Sequence, residues 1–84
     1  MKTIIIDCAQ IRDRRQMHEI LARELEFPQW YGHNLDALYD CLTQIGTPTH
    51  LRLENWDPLA DWARGFSDTL CDAALDSPFF SVRM

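Results

Sequence analysis

Thr3-Ile4-Ile5-Ile6 is an unbroken β-branched run closed by Asp7, and it does the most to decide what this chain can fold into. Side chains branched at Cβ are stiff and favour strands. An apolar run with no polar residue at alternate positions is the pattern of a strand buried on both faces of a parallel sheet. Each parallel neighbour needs a crossover of about a dozen residues or more, usually helical. Helices must therefore alternate with strands along the rest of the chain.

The apolar spacing supplies them. Asp13 is placed to cap a first helix, with Gln16 completing a capping box. Met17, Ile20, Leu21 and Leu25 recur at helical spacing up to Pro28. Asn34 reads as the N-cap of a second helix with an apolar stripe of Leu35, Leu38, Leu42 and Ile45. Asp36, Tyr39, Asp40 and Thr43 fall on or near its other side, and Gly46 and Pro48 stop it. Leu51 and Leu53, flanked by Thr49 and Arg52, suggest a second strand. Asp57-Pro58 opens a short helix that turns Leu59, Trp62 and Ala63 inward, and Gly65 breaks it. A last helix carries Phe66, Leu70, Ala73 and Ala74 inward and ends at Ser77-Pro78, before a strand at Phe79-Phe80-Ser81-Val82. The order β-α-α-β-α-α-β predicts an α/β fold: a single small domain over residues 1–84 with a three-stranded parallel sheet packed by about four helices.

With 84 residues there is room for one core, and a hydrophobic content of 46% argues against disorder. No apolar run approaches the ~20 residues that span a bilayer. The stretch from Lys2 to Ile6 is too short and too quickly charged for a signal peptide, so a cytoplasmic location is expected. Cys8, Cys41 and Cys71 are far apart and form no zinc-binding spacing; three reduced, mostly buried thiols are expected.

The net charge of −5 is unevenly spread. Acids and bases balance as far as His33. Beyond it, Asp36, Asp40, Glu54, Asp57, Asp61, Asp68, Asp72 and Asp76 face only Arg52, Arg64 and Arg83. Such a chain is a poor direct ligand for nucleic acid and a good one for a basic protein.

The segment Trp30 to Leu42 concentrates what the fold does not require. Asp36 and Asp40 share a helix face and repel, at a cost of a few tenths of a kcal/mol. Trp30, Tyr31 and Tyr39 stand beside them. A solvated helix face is the plain reading of the two aspartates; a surface for a cationic partner is the functional one. Asp36 suits the helix dipole where it stands, whereas Asp40 does not. Tyr31 is expected in the core and Trp30 on the surface. Adjacent His33 could join the pair in metal or acid–base chemistry, but no further ligand has suitable spacing. His18 and His50 are isolated, and Asp68, Asp72 and Asp76 form a second acidic stripe that reads as solvated at Asp68 and Asp76.

The run Tyr31-Gly32-His33-Asn34-Leu35-Asp36-Ala37-Leu38-Tyr39-Asp40-Cys41-Leu42 resembles, almost residue for residue, the central motif of the barstar-like family of intracellular ribonuclease inhibitors. Gln10-Ile11-Arg12, His18 and Glu24-Leu25 resemble the family's first helix. The resemblance implies the α/β architecture above, no enzymatic activity, no cofactor and a monomer when free. The implied partner is a basic ribonuclease, barnase-like or another toxin. It implies that Asp36 and Asp40 occupy the ribonuclease active site in place of RNA phosphates, with Asp40 at the catalytic centre. Trp30, Asn34, Leu35, Tyr39 and Thr43 stand at matching partner-binding positions, and Asp72 aligns less securely with a glutamate that adds a peripheral contact. Asn34 also suits a cap, and Leu35 either packs inward or touches the partner. The family's best-known member has tyrosine at the position of Trp30 and tryptophan at that of Tyr39, and Gln44 and Ile45 replace a glycine and a tryptophan. Two other roles fit the same residues: an acidic adaptor for some other basic protein, and a small enzyme built on Asp36, Asp40 and His33.

Overall fold

The computed structural model describes residues 1–84. Strands β1 (Lys2–Asp7), β2 (Thr49–Glu54) and β3 (Phe80–Arg83) lie side by side in that order, all parallel. Ile4, Leu51 and Val82 align in one row across the sheet, and Ile6 stands beside Leu53 in the next. These residues share the inward face with Thr49 and Phe80.

Helices α1 (Arg14–Glu24), α2 (Leu35–Thr43) and α3 (Phe66–Asp76) complete the core. Met17 and Leu21 from α1, Leu38 and Leu42 from α2, and Phe66 and Leu70 from α3 are wholly excluded from solvent and join the inward strand residues in one cluster. One-sided packing corrects the expectation for the first strand. The sheet's second face is open, and Ile5 in the middle of the β-branched run is 49% exposed.

Two further corrections have local causes. The expected fourth helix is a 3-10 turn at Asp61–Ala63, so three α-helices pack the sheet. Asp57 does accept the backbone N–H of Leu59 at 2.9 Å, but the segment between Trp56 and Gly65 is too short to pass the costly first turn of a helix. Trp62 and Ala63 are buried as expected, while Leu59 points outward and is 89% exposed. Cys8 and Cys41 are buried, but Cys71 is exposed, because its position on α3 lies off the stripe of Phe66, Leu70 and Ala73. All three thiols are free. A second 3-10 turn, at Cys8–Gln10, follows β1, and no helix is long and apolar enough to cross a membrane.

Candidate functional site

The site begins with the anchoring of the loop before α2. His18 on α1 is buried, and its Nδ1 lies 2.6 Å from the hydroxyl of Tyr31. Burial, with the charges of Arg14 and His33, pushes the His18 imidazole down to about 4, so it is neutral near pH 7 and bonds without a charge. Burial likewise raises the Tyr31 phenol. Phe27 and His33 pack on Tyr31 with ring centroids at 5.0 and 5.3 Å, and His33 also stacks on His18. Tyr31 is thus core, as its sequence context predicts, and the chain on either side of it is held outward. Trp30, its neighbour, is 71% exposed and pairs with no other ring.

Asn34 then starts α2. Its Oδ1 accepts the backbone N–H of Ala37 at 2.8 Å, and its Nδ2 donates to the Gly32 carbonyl at 3.2 Å. Both ends of the amide are engaged, so the cap is its structural role. Leu35 is half-buried over Gly65, at the point where α2 and α3 approach. Thr43 donates to the carbonyls of Tyr39 and Asp40 at 2.9 and 3.2 Å and tightens the last turn.

Asp36 and Asp40 are both exposed, one turn apart on α2. Helix α3 packs against α2 and brings the second acidic stripe alongside. Tyr39 is half-buried at this junction, and its hydroxyl donates to Asp76. That bond, then partial burial and the charges of Asp76, Asp72 and Asp40, hold the Tyr39 phenol above its ordinary range. The residues foreseen at Asp36, Tyr39, Asp40, Thr43 and Asp72 therefore belong to one region, and Trp30 and Asn34 lie at the head of α2. Asp76 was expected to be merely solvated; it is the partner of Tyr39. The four-residue spacing of Asp68, Asp72 and Asp76 was its visible signal, but which of them meets α2 depends on how two helices cross.

The electrostatics are one-sided. Neither α2 nor α3 contains a lysine or arginine. The ion pairs of the protein lie elsewhere: Lys2–Glu26, Arg15–Glu19, Arg23–Glu24 and Arg52–Glu54. The side-chain oxygens of Asp36, Asp40 and Asp72 have neither a cation nor a hydrogen-bond donor within the protein. No substantial depression of the surface is lined by Tyr39, Asp40, Asp72 or Asp76. Asp36 lies at a shallow depression shared with Arg14, Arg15, His18 and His33. His33, resting on His18, belongs to no group of three metal-ligating side chains. The Cys8 thiol is pushed up to about 11 by burial and the charge of Asp7, and burial and Asp40 raise that of Cys41, so both are protonated and weakly nucleophilic at neutral pH.

Comparison with known proteins identifies the family. Over 58 residues the chain is 43% identical to a Bacillus subtilis (strain 168) protein described as "Putative ribonuclease inhibitor YrdF". The match covers 68% of this chain and 64% of that relative, less than two thirds of its length. A family model described as Barstar (barnase inhibitor) matches residues 1–77, which include all three α-helices and both of the first two strands. The chain belongs to the barstar family.

Proposed function

We propose that this protein inhibits a basic ribonuclease by inserting α2, with the loop before it, into the active-site cleft. One observation carries the reading: three exposed carboxylates, Asp36, Asp40 and Asp72, stand without an ion-pair partner on two helices that contain no lysine or arginine. Asp36 suits the positive end of the helix dipole, but folding gains nothing from Asp40. Asp40 sits towards the C-terminal end of α2, where the helix dipole disfavours a negative charge, and Asp36 repels it from one turn away.

A ribonuclease holds phosphate with cationic side chains. A carboxylate presented at the same place accepts the same charge-assisted hydrogen bonds. Asp40 takes the position of the phosphate at the catalytic centre and Asp36 a neighbouring one, while Asp72 reaches the rim from α3. Trp30 and Tyr39 supply flat apolar surface of the type that dominates binding energy once water is excluded. The net charge of −5, with five aspartates and no lysine or arginine on α2 and α3, draws a basic partner in and speeds association at low salt. Family membership and the description of the Bacillus subtilis relative as a ribonuclease inhibitor support the same role. The protein itself then cleaves nothing, and a cell that holds it is protected from the nuclease.

The test is residual RNA cleavage by barnase and several related basic ribonucleases as this protein is titrated in. Loss of activity at one equivalent supports the reading. Full activity across the panel at micromolar concentrations counts against it and favours an acidic adaptor for another basic protein.

A further inference from the structure

Asp76 is the last residue of α3, where the negative end of the helix dipole makes a carboxylate unfavourable. It does not cap the helix: the backbone N–H of Ser77 returns to the Ala73 carbonyl without it. No cation pairs with it. Its side-chain partner is the hydroxyl of Tyr39, on a different helix and 37 residues away in sequence.

A tyrosine hydroxyl lies on the axis of the Cβ–Cγ bond, so holding it leaves the ring free to turn about that axis but fixes the χ1 rotamer, the direction in which the side chain points. Tyr39 precedes Asp40 directly and follows Asp36 by three residues, on the acidic side of α2. We propose that Asp76 is a positioning residue for the partner-binding face: by accepting the Tyr39 hydroxyl across the α2–α3 junction it fixes that side chain in one χ1 rotamer beside Asp40 before the partner arrives. This rests on the inhibitor reading above. A side chain already held in one χ1 rotamer loses less freedom on docking, and one immobilised side chain corresponds to at most roughly a 2- to 12-fold change in affinity. The arrangement is tied to the residues of this chain, since only a tyrosine at position 39 puts a hydroxyl within reach of Asp76.

The experiment is stopped-flow and equilibrium binding of the full chain to a ribonuclease it inhibits, for the unsubstituted protein, Tyr39→Phe, Asp76→Asn, Asp76→Ala and the double variant Tyr39→Phe with Asp76→Ala. Circular dichroism confirms the fold of each. Tyr39→Phe removes one surface hydroxyl and keeps the ring, so it reports even if Asp76→Ala folds poorly. Positioning predicts that Tyr39→Phe and Asp76→Ala each weaken binding several-fold through faster dissociation, and that the double variant is no weaker than either alone. Asp76→Asn, which keeps an acceptor oxygen and loses the charge, retains most of the affinity. Equal losses in Asp76→Asn and Asp76→Ala, with a slower and less salt-dependent association, would show a direct electrostatic contact and overturn the proposal. Unchanged binding in Asp76→Ala and Tyr39→Phe would overturn it too. Failure of the unsubstituted protein to bind any ribonuclease overturns the inhibitor reading itself, and the positioning role with it.

Discussion

Gly65, which precedes α3, lies directly against Leu35, the first residue of α2: a Cβ on Gly65 would stand 2.6 Å from Leu35 Cδ1. Gly65 also has φ of +82°, in the left-handed region. The two helices that carry the acidic face therefore meet closely, and a side chain at position 65 fits only if Leu35 turns aside. Gly65→Ala is expected to cost about 2–4 kcal/mol, from the left-handed backbone and the overpacked contact together. Gly46 has open space around its Cβ position and no such backbone, so Gly46→Ala should change stability by less than about 1 kcal/mol. Urea unfolding of both variants checks this; equal effects would contradict it.

Asn34 offers a smaller and cleaner test of local structure. Asn34→Ala removes the acceptor for the Ala37 N–H and should cost about 1 kcal/mol, whereas Asn34→Asp keeps it and should stay within a few tenths of the parent. Matching losses in thermal melts of the two variants would argue that the amide, bonded to Gly32, matters more than the cap.

Stability should fall on mild acidification. His18 is held down to about 4 in the folded chain against an ordinary 6.5. Between those values the unfolded chain takes up a proton that the native protein refuses, so lowering the pH through this window favours unfolding. The loss between pH 7 and 4.5 should be on the order of 2 kcal/mol. Asp7 and Glu26, held low by Asn55 and Lys2, act in the same direction but only below their ordinary values of 3.8 and 4.5. Denaturant midpoints across the range, with the His18 ring followed by NMR, test this. A flat profile, or a His18 midpoint near 6.5, contradicts it.

Much of this molecule is readable along the chain, and its unread parts have a common cause. The strand at Thr3–Ile6, the caps at Asp13 and Asn34, the break at Gly65 and the stripe of Phe66, Leu70 and Ala73 all follow from local stereochemistry and period. Gln16 shows the limit of even a local rule: it accepts the N–H of Arg12, one residue before the position a capping box uses. Ile5 and Leu59 were misjudged because hydrophobicity does not say which faces the other elements cover. The same holds in the candidate site. Asp36, Tyr39 and Asp40 are visible as one helix face, while the bond from Tyr39 to Asp76 depends on the α2–α3 crossing and has no local signal.

Trp30 separates binding from folding. At 71% exposure it contributes little to the core, so Trp30→Ala should change stability by less than about 0.5 kcal/mol. If it fills apolar or base-binding space on the ribonuclease, the same substitution should weaken binding by about 2 kcal/mol. Calorimetric unfolding and binding on one preparation check both halves; a large fall in melting temperature with unchanged affinity would reverse the assignment.

The proposed inhibition turns on Asp40. The deciding measurement is the dissociation constant of an inhibited ribonuclease for this protein and for Asp40→Ala, with a competing mononucleotide present and absent. Removing one member of a desolvated ion pair should cost on the order of 3 kcal/mol or more, the mononucleotide should compete with the unsubstituted protein, and the variant should stay folded because it has lost only a repulsive neighbour of Asp36. Equal affinities for the two proteins, with no competition from the mononucleotide, would remove Asp40 from the ribonuclease active site and contradict the account.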